Sequence, residues 1–382
     1  MCLAIPLKIT AIDGKEAMAE LEGLQQKIRI DFIKDLKVGD YVIVHAGFAL
    51  ERLDEEQAKA NIELAGTLTL PSGTGSHPAV ILISGSGPQD RDETLMEHKP
   101  FLVLADHLTR NGIAVLRYDD RGVAKSKGRF KSATIYDFAA DAKAAIAYLK
   151  SRPEINPKKI GLVGHSEGGM VAPMVAAGSR EVSFIVMLAG TGVRGDRLLL
   201  SQQQMIGRAS GLSDTVLARS LALNAKMFEM VLNATDSTKL ANGLTEFVGS
   251  FLNQLPESEK PKGISLEEYT RRTVNEVTGP WFQNFIRYDP ATSLEKVKCA
   301  VLAVNGEKDL QVPATENLAA IGKALKKAGN KNVTLKAFPS LNHLFQEART
   351  GLPAEYQEIE QTFSPVVLEY ITGWIQTRVK TR

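Results

Sequence analysis

The chain is poor in cysteine: Cys2 and Cys299 are the only two in 382 residues. Two cysteines cannot build a disulfide framework, and neither lies in a Cys-x-x-Cys pair, so a disulfide-stapled scaffold and a cysteine-based zinc site are excluded. An excess of one charge sign is also missing. The 46 basic and 44 acidic residues leave a net charge of +2, with no basic block to grip nucleic acid or an anionic bilayer. No apolar stretch approaches the roughly eighteen residues of a membrane helix, and Met1-Cys2-Leu3-Ala4-Ile5-Pro6 lacks the basic and apolar regions of an export signal. The expectation is a soluble cytoplasmic protein with no nucleic-acid and no membrane partner. Hydrophobic residues make up 44%, ample for a buried core, and the length leaves room for two domains.

What is present reads as two parts, 1–60 and 61–382. No Gly, Pro or Ser linker separates them, which argues against a free-swinging tandem. In the first part, short alternating runs cover Ala4 to Ile12, Ala17 to Glu22, Gln26 to Ile33 and Tyr41 to His45. Turn signals at Asp13-Gly14, Glu22-Gly23 and Val38-Gly39-Asp40 separate them, the pattern of a small β-barrel. Leu53 to Ala60 is helical in composition, with Asp54 as its N-cap. In the second part, apolar runs at Ala79 to Ser84, Ile113 to Tyr118, Lys159 to Gly164, Phe184 to Ala189, Cys299 to Asn305 and Val333 to Phe338 alternate with amphipathic stretches. Strands buried on both faces and alternating with helices predict a mainly parallel sheet with helices on both faces. Residues of about 194–295 break this rhythm with a long helical insertion, read as a cap over the site.

Gly164-His165-Ser166-Glu167-Gly168 follows the apolar run Ile160 to Val163 and precedes a helical stretch, so Ser166 sits at a sharp strand-to-helix turn. A serine hydroxyl is a weak nucleophile at neutral pH. It needs a base to take its proton and an acid to orient that base. In a sheet of this kind the partners lie after the carboxyl ends of later strands. Asp309 and His343 follow the last two apolar runs, with Glu307 as the alternative acid. His165 is expected to pack within the turn. For the oxyanion of an acyl-transfer intermediate, the backbone amides of Glu167 and of Ser86, in Ser84-Gly85-Ser86-Gly87-Pro88, are the candidate donors. No Gly-Lys-Ser/Thr follows that glycine-rich loop, so it is not a phosphate-binding P-loop.

The motifs Leu64 to Leu68, Gly85 to Asp92, Arg117-Tyr118-Asp119-Asp120-Arg121-Gly122 and Gly164 to Gly169, with the two loops carrying Asp309 and His343, resemble the α/β-hydrolase family in its esterase and serine-peptidase-like branch. The order Ser, Asp, His is that family's order. The resemblance implies the α/β-hydrolase fold with a helical cap insertion, a catalytic triad that needs no cofactor or metal, and an acyl-enzyme on Ser166. Asp119, Asp120 and Arg121 are expected to form structural ion pairs. Met1 to Pro6 and Val38 to Ala49 resemble a different family, the HypC/HupF hydrogenase maturation chaperones. That resemblance implies an iron site at Cys2 and His45 and hydrogenase maturation proteins as partners.

The first reading is therefore a carboxylesterase that cleaves small to medium acyl esters, its partner being a small-molecule ester substrate. A peptidase or amidase of the same fold uses the same triad. The third reading is an iron-carrying maturation chaperone with a passive hydrolase domain. Acyl chain length and assembly into a homo-oligomer are not decided by the sequence.

Overall fold

Most of the apolar runs become strands. The computed structural model describes residues 6–21, 24–31, 33, 35–45, 48–53 and 63–380, and its contacts divide the chain into two units, Met1–Glu63 and Leu64–Arg382. In the first unit, β1 (Pro6–Asp13), β2 (Glu16–Leu21), β3 (Leu24–Arg29), β4 (Tyr41–His45) and β5 (Phe48–Leu53) close into a barrel in the order β1-β2-β3-β5-β4. Gly14 takes φ 57° in the β1–β2 hairpin, a left-handed conformation that glycine adopts without strain. Alternate residues, among them Leu7, Ile9, Ala17, Ala19, Ile28 and Val42, fill the interior. Strand β5 has no counterpart in the sequence reading, and it ends with Leu53, the residue that opened the expected helix. The rest of that helix lies outside the described residues.

The second unit is built on a seven-stranded sheet. Its strands are β6 (Gly66–Thr69), β7 (His77–Ile83), β8 (Ala114–Tyr118), β9 (Ile155–His165), β10 (Phe184–Leu188), β11 (Ala300–Gly306) and β12 (Val333–Phe338). They lie in the order β12-β11-β10-β9-β7-β8-β6. Only β6 runs antiparallel to its neighbour. Residues Ala79 to Ile83 of β7 are all buried and alternate between two cores. Ala79, Ile81 and Ile83 pack with α2 (Ile135–Lys150), α3 (Gly168–Gly178) and α10 (Ala314–Lys327). Val80 and Leu82 pack with α1 (Pro100–Arg110) and α11 (Pro365–Val379). Helices on both faces bury every central strand twice over, which is why these strands read as continuous apolar runs rather than alternating ones. Each fully buried Leu or Ile contributes about 1.5–3 kcal/mol.

Local chemistry sets the helix boundaries. Thr134 and Asp137 form a reciprocal capping box at the start of α2, and Pro100 and Pro365 open α1 and α11, where a missing N–H costs nothing. Between β10 and β11 come α4 (Gly195–Ala209), α5 (Asp214–Asn233), α6 (Ser237–Gln254), α7 (Leu266–Val277), α8 (Pro280–Arg287) and α9 (Ala291–Leu294). Phe228, Leu244, Val248, Phe282 and Phe285 form a core of their own that takes in Ile135, Met170 and Val312 from outside the insertion. The insertion is thereby fixed to the elements that surround Ser166. Among the described residues no helix is long and apolar enough to cross a membrane.

Candidate active site

Ser166 follows β9 at φ 51°, in the left-handed region that a residue with a side chain enters only under constraint. The constraint is close packing. A β-carbon on Gly164 would lie 2.0 Å from the carbonyl oxygen of Gly168, and one on Gly168 would lie 2.1 Å from that of Ile83. Both glycines let strand and helix approach to a distance no other residue permits. The half-buried Ser166 side chain is left at the carboxyl end of the sheet, beside the loop after β7. A β-carbon on Gly85 in that loop would lie 3.2 Å from Ser166 Cβ.

Asp309 and His343 meet at the same end. His343 Nδ1 lies 2.7 Å from Asp309 Oδ2, and Asp309 Oδ1 accepts the amides of Gln311 and Val312, each at 2.8 Å. Asp309 is wholly buried, and these contacts give each of its oxygens a hydrogen-bond partner. A carboxylate facing Nδ1 fixes the proton there and leaves the lone pair on Nε2. The alternative acid, Glu307, is exposed, and its backbone amide pairs with Phe338. Asn342 holds the histidine loop by accepting the amides of Leu344 and Gln346 at 3.0 and 2.9 Å. Among the described residues, neither the Ser166 hydroxyl nor His343 Nε2 has a hydrogen-bond partner. The same holds for the backbone amides of Ser86 and Glu167, so both remain available to a ligand.

Three acidic groups surround this end: Glu167 and Glu93, whose carboxyls the sequence reading did not place, and Asp120, which it expected in an ion pair. Glu167 carries one of the candidate amides, yet its carboxyl is buried and accepts the Trp281 indole N–H of α8 at 2.8 Å. Burial pushes it up to about 8, against the pull of that N–H and with a smaller push from Asp120. Asp120 accepts the Ser84 hydroxyl at 2.7 Å and the Gln89 amide at 3.0 Å, and burial raises it to about 7. The ion pairs expected for its neighbours form: Asp119 binds Arg91 at 2.7 Å, and Arg121 binds Asp137 and Asp141 at 2.7 and 2.6 Å. Asp120 departs from that expectation because it has hydroxyl and amide donors but no cation. The third group is Glu93, whose Oε1 lies 2.6 Å from the Gly85 amide and 2.9 Å from His165 Nδ1. His165 does more than pack, since its Nε2 also reaches the His343 carbonyl at 3.0 Å. Apart from the Glu93–Gly85 contact, which spans eight residues, the contacts of these three groups join residues at least 31 apart in sequence. The one available signal was the acid-rich run Asp90 to Glu93 beside the glycine loop. Cys2 lies outside the described residues, and for His45, at the end of β4, only the backbone is described.

A family model described as X-Pro dipeptidyl-peptidase (S15 family) matches residues 60–338. The chain belongs to that family. The HupF/HypC family model matches residues 1–65, so the S15-family part is preceded by a HupF/HypC segment. Esterase EstD of Thermotoga maritima is 28% identical over 326 residues, which cover 85% of this S15-family chain and 68% of EstD. Hydrogenase maturation factor HypC of Azotobacter chroococcum is 48% identical over 69 residues, 18% of this chain and 82% of that protein. Among solved structures, the alpha/beta hydrolase GrgF from Penicillium matches with a TM-score of 0.51 and 16% identity, over 83% of this chain and 94% of its own. That likeness gives the S15-family part the α/β-hydrolase fold.

Proposed function

We propose that the chain is a serine hydrolase, a carboxylesterase for small to medium acyl esters, with Ser166 as nucleophile, His343 as general base and acid, and Asp309 orienting it. The observation that carries this reading is the 2.7 Å Asp309–His343 hydrogen bond at the same sheet end as a serine in a left-handed turn. Ser166 Oγ attacks the ester carbonyl carbon while its proton passes to His343 Nε2, and Asp309 stabilises the imidazolium. The carbonyl oxygen becomes an oxyanion that accepts the Ser86 and Glu167 amides, which lack other partners. Collapse breaks the ester C–O bond, and the proton on His343 goes to the leaving alcohol. Water then attacks the acyl-enzyme with His343 as base, releasing the acid and restoring Ser166. No step needs a metal or cofactor. The helices α4 to α9 act as a cap that shapes the acyl pocket.

The similarity to EstD favours ester cleavage. The S15 family name favours the second reading, cleavage of an amide after proline by the same residues. Rates on p-nitrophenyl acetate to decanoate beside an X-Pro p-nitroanilide separate the two. Ester turnover exceeding anilide turnover by more than about tenfold in kcat/KM is the expected result, and the reverse ranking overturns the ester assignment. A further role for the N-terminal segment rests on its HupF/HypC match. In that role Cys2 and His45 hold iron, a chemically suitable thiolate–imidazole pair, and hydrogenase maturation proteins are the partners. Protein purified without oxygen is expected to hold iron that Cys2→Ser removes, and iron content unchanged by that substitution contradicts it.

A further inference from the structure

Glu93 is one of the few non-glycine residues held at positive φ, at 51°. The turn that puts it there is locked by Asp90, whose carboxylate accepts the amides of Asp92 and Thr94 at 3.0 Å each and the Thr94 hydroxyl at 2.7 Å. A left-handed glutamate is strained and persists only where its surroundings over-determine it. The strain delivers the carboxyl to a place 4% exposed, where Oε1 bonds both the Gly85 amide and His165 Nδ1. Its second oxygen has no partner among the described residues. A cavity of about 10 Å³ beside the pair is walled by Phe101, Leu188, Leu344, Phe345 and Phe363. No other donor competes for Glu93 there.

His165 carries the connection onward. The His343 carbonyl can only accept, so His165 Nε2 bears a proton, and the two imidazole rings lie 4.8 Å apart. We infer that Glu93 and His165 are positioning residues of the hydrolase site, a buried acid–imidazole pair that fixes the oxyanion loop at Gly85 to the loop carrying His343. The inference rests on the triad reading. The two tethered segments are the donor loop beside Ser86 and the backbone of the general base itself. Their separation sets whether the oxyanion and the proton on Ser166 are met together, and a shift of about 1 Å there lowers the rate on the order of 100-fold.

The direction of the His165 shift agrees with the geometry. Burial alone lowers the pKa of His165, but the charge and hydrogen bond of Glu93, the His343 carbonyl and the charge of Asp309 together raise it. The charged and titratable groups facing the pair are His343 and Asp309 on the side of His165 and Asp120 on the side of Glu93. Glu93 Oε1 faces Nδ1 and the Gly85 amide together, so one oxygen holds both partners.

The test compares Glu93→Ala, Glu93→Asp and Glu93→Gln in the full chain, reading kcat, KM and the Ki of an arylboronic acid, which forms a tetrahedral adduct on a nucleophilic serine. Glu93→Ala is expected to lower kcat ~10–100-fold and to raise the boronate Ki in step, with KM within about twofold of wild type. Glu93→Asp keeps the charge but is one methylene short of both partners, so it is expected to fall like alanine and decides the matter if the alanine variant does not fold. Glu93→Gln keeps the reach of the side chain and, with its amide oxygen in the place of Oε1, the one acceptor that the Gly85 amide and His165 Nδ1 share, and is expected to recover kcat to within roughly threefold of wild type. Wild-type kcat and Ki in Glu93→Asp, or loss in Glu93→Gln equal to that in Glu93→Asp, overturns the inference. Ser166→Ala is assayed alongside: activity in that variant overturns the triad reading, whereas its inactivity beside an unaffected Glu93→Asp overturns the pair alone.

Discussion

Glu167 occupies the variable position of the serine turn, and its carboxyl is in the core rather than in water. Its folded pKa of about 8 stands above the ordinary value of 4.5, because burial penalises the charged form. A raised carboxyl contributes stability that is whole below the unfolded value and is lost as pH climbs through the folded one. Asp120, moved from 3.8 to about 7, acts in the same direction. Raising the pH from about 5 to about 9 is therefore expected to destabilise this part by a few kcal/mol. Glu167→Gln is neutral throughout, so its melting temperature relative to wild type is expected to rise across that range. A difference that stays flat with pH contradicts the assignment. At this scale the sequence singles out the candidates Ser166, Asp309 and His343, because each stands in a motif or just after an apolar run. It does not show the contacts of Glu93, His165 or the Glu167 carboxyl, since these partners lie 72, 178 and 114 residues away. Buried polar contacts of that kind arise only when the sheet has formed.

The elements followed from the pattern where burial is uniform. Phe184 to Leu188 stands out because all five of its residues are buried, whereas Val333 to Phe338, at the edge of the sheet with only Phe338 buried, is legible from its apolar run alone. Strand β9 begins at Ile155, well before the expected Lys159, because a stretch of polar and half-exposed residues up to Lys159 hides the first part of its pairing. Strand β5 escaped notice because Phe48 to Leu53 runs into a segment of helical composition, with no punctuation between them. The insertion was legible as helical, but its tie to the serine turn was not. Trp281 stacks on Phe285 at 5.0 Å and reaches Glu167 with its N–H, so one side chain anchors α8 to the start of α3. Trp281→Phe keeps the stack and removes the donor from a buried carboxyl. The expected cost is about 1–3 kcal/mol in urea denaturation, together with a larger rise in KM for long-chain than for short-chain esters. Unchanged stability and an unchanged chain-length profile contradict the anchoring role.

As a whole, the chain divides into two units, and each has described apolar core residues of its own. The first is small, and a domain of about 60 residues buries too little surface to be more than marginally stable. The second has three interlinked cores on and around one sheet. Calorimetry of the full chain is expected to show two transitions, the barrel melting first and ester hydrolysis lost only with the second. A single transition in which activity and barrel structure disappear together contradicts this expectation. The two-part organisation was legible because the residue pattern changes character near residue 60, from short alternating runs to long buried ones, whereas the closure of the barrel depends on a β3–β5 pairing that no local pattern shows.

The central claim is that Ser166 is the nucleophile of an ester hydrolase, and the most direct measurement is kcat on the best p-nitrophenyl ester for the wild type and for Ser166→Ala. Loss of a triad nucleophile lowers kcat by about 10⁶ in serine proteases, so the variant is expected to fall to background while its melting curve stays that of the wild type. A folded Ser166→Ala protein that retains wild-type turnover contradicts the account.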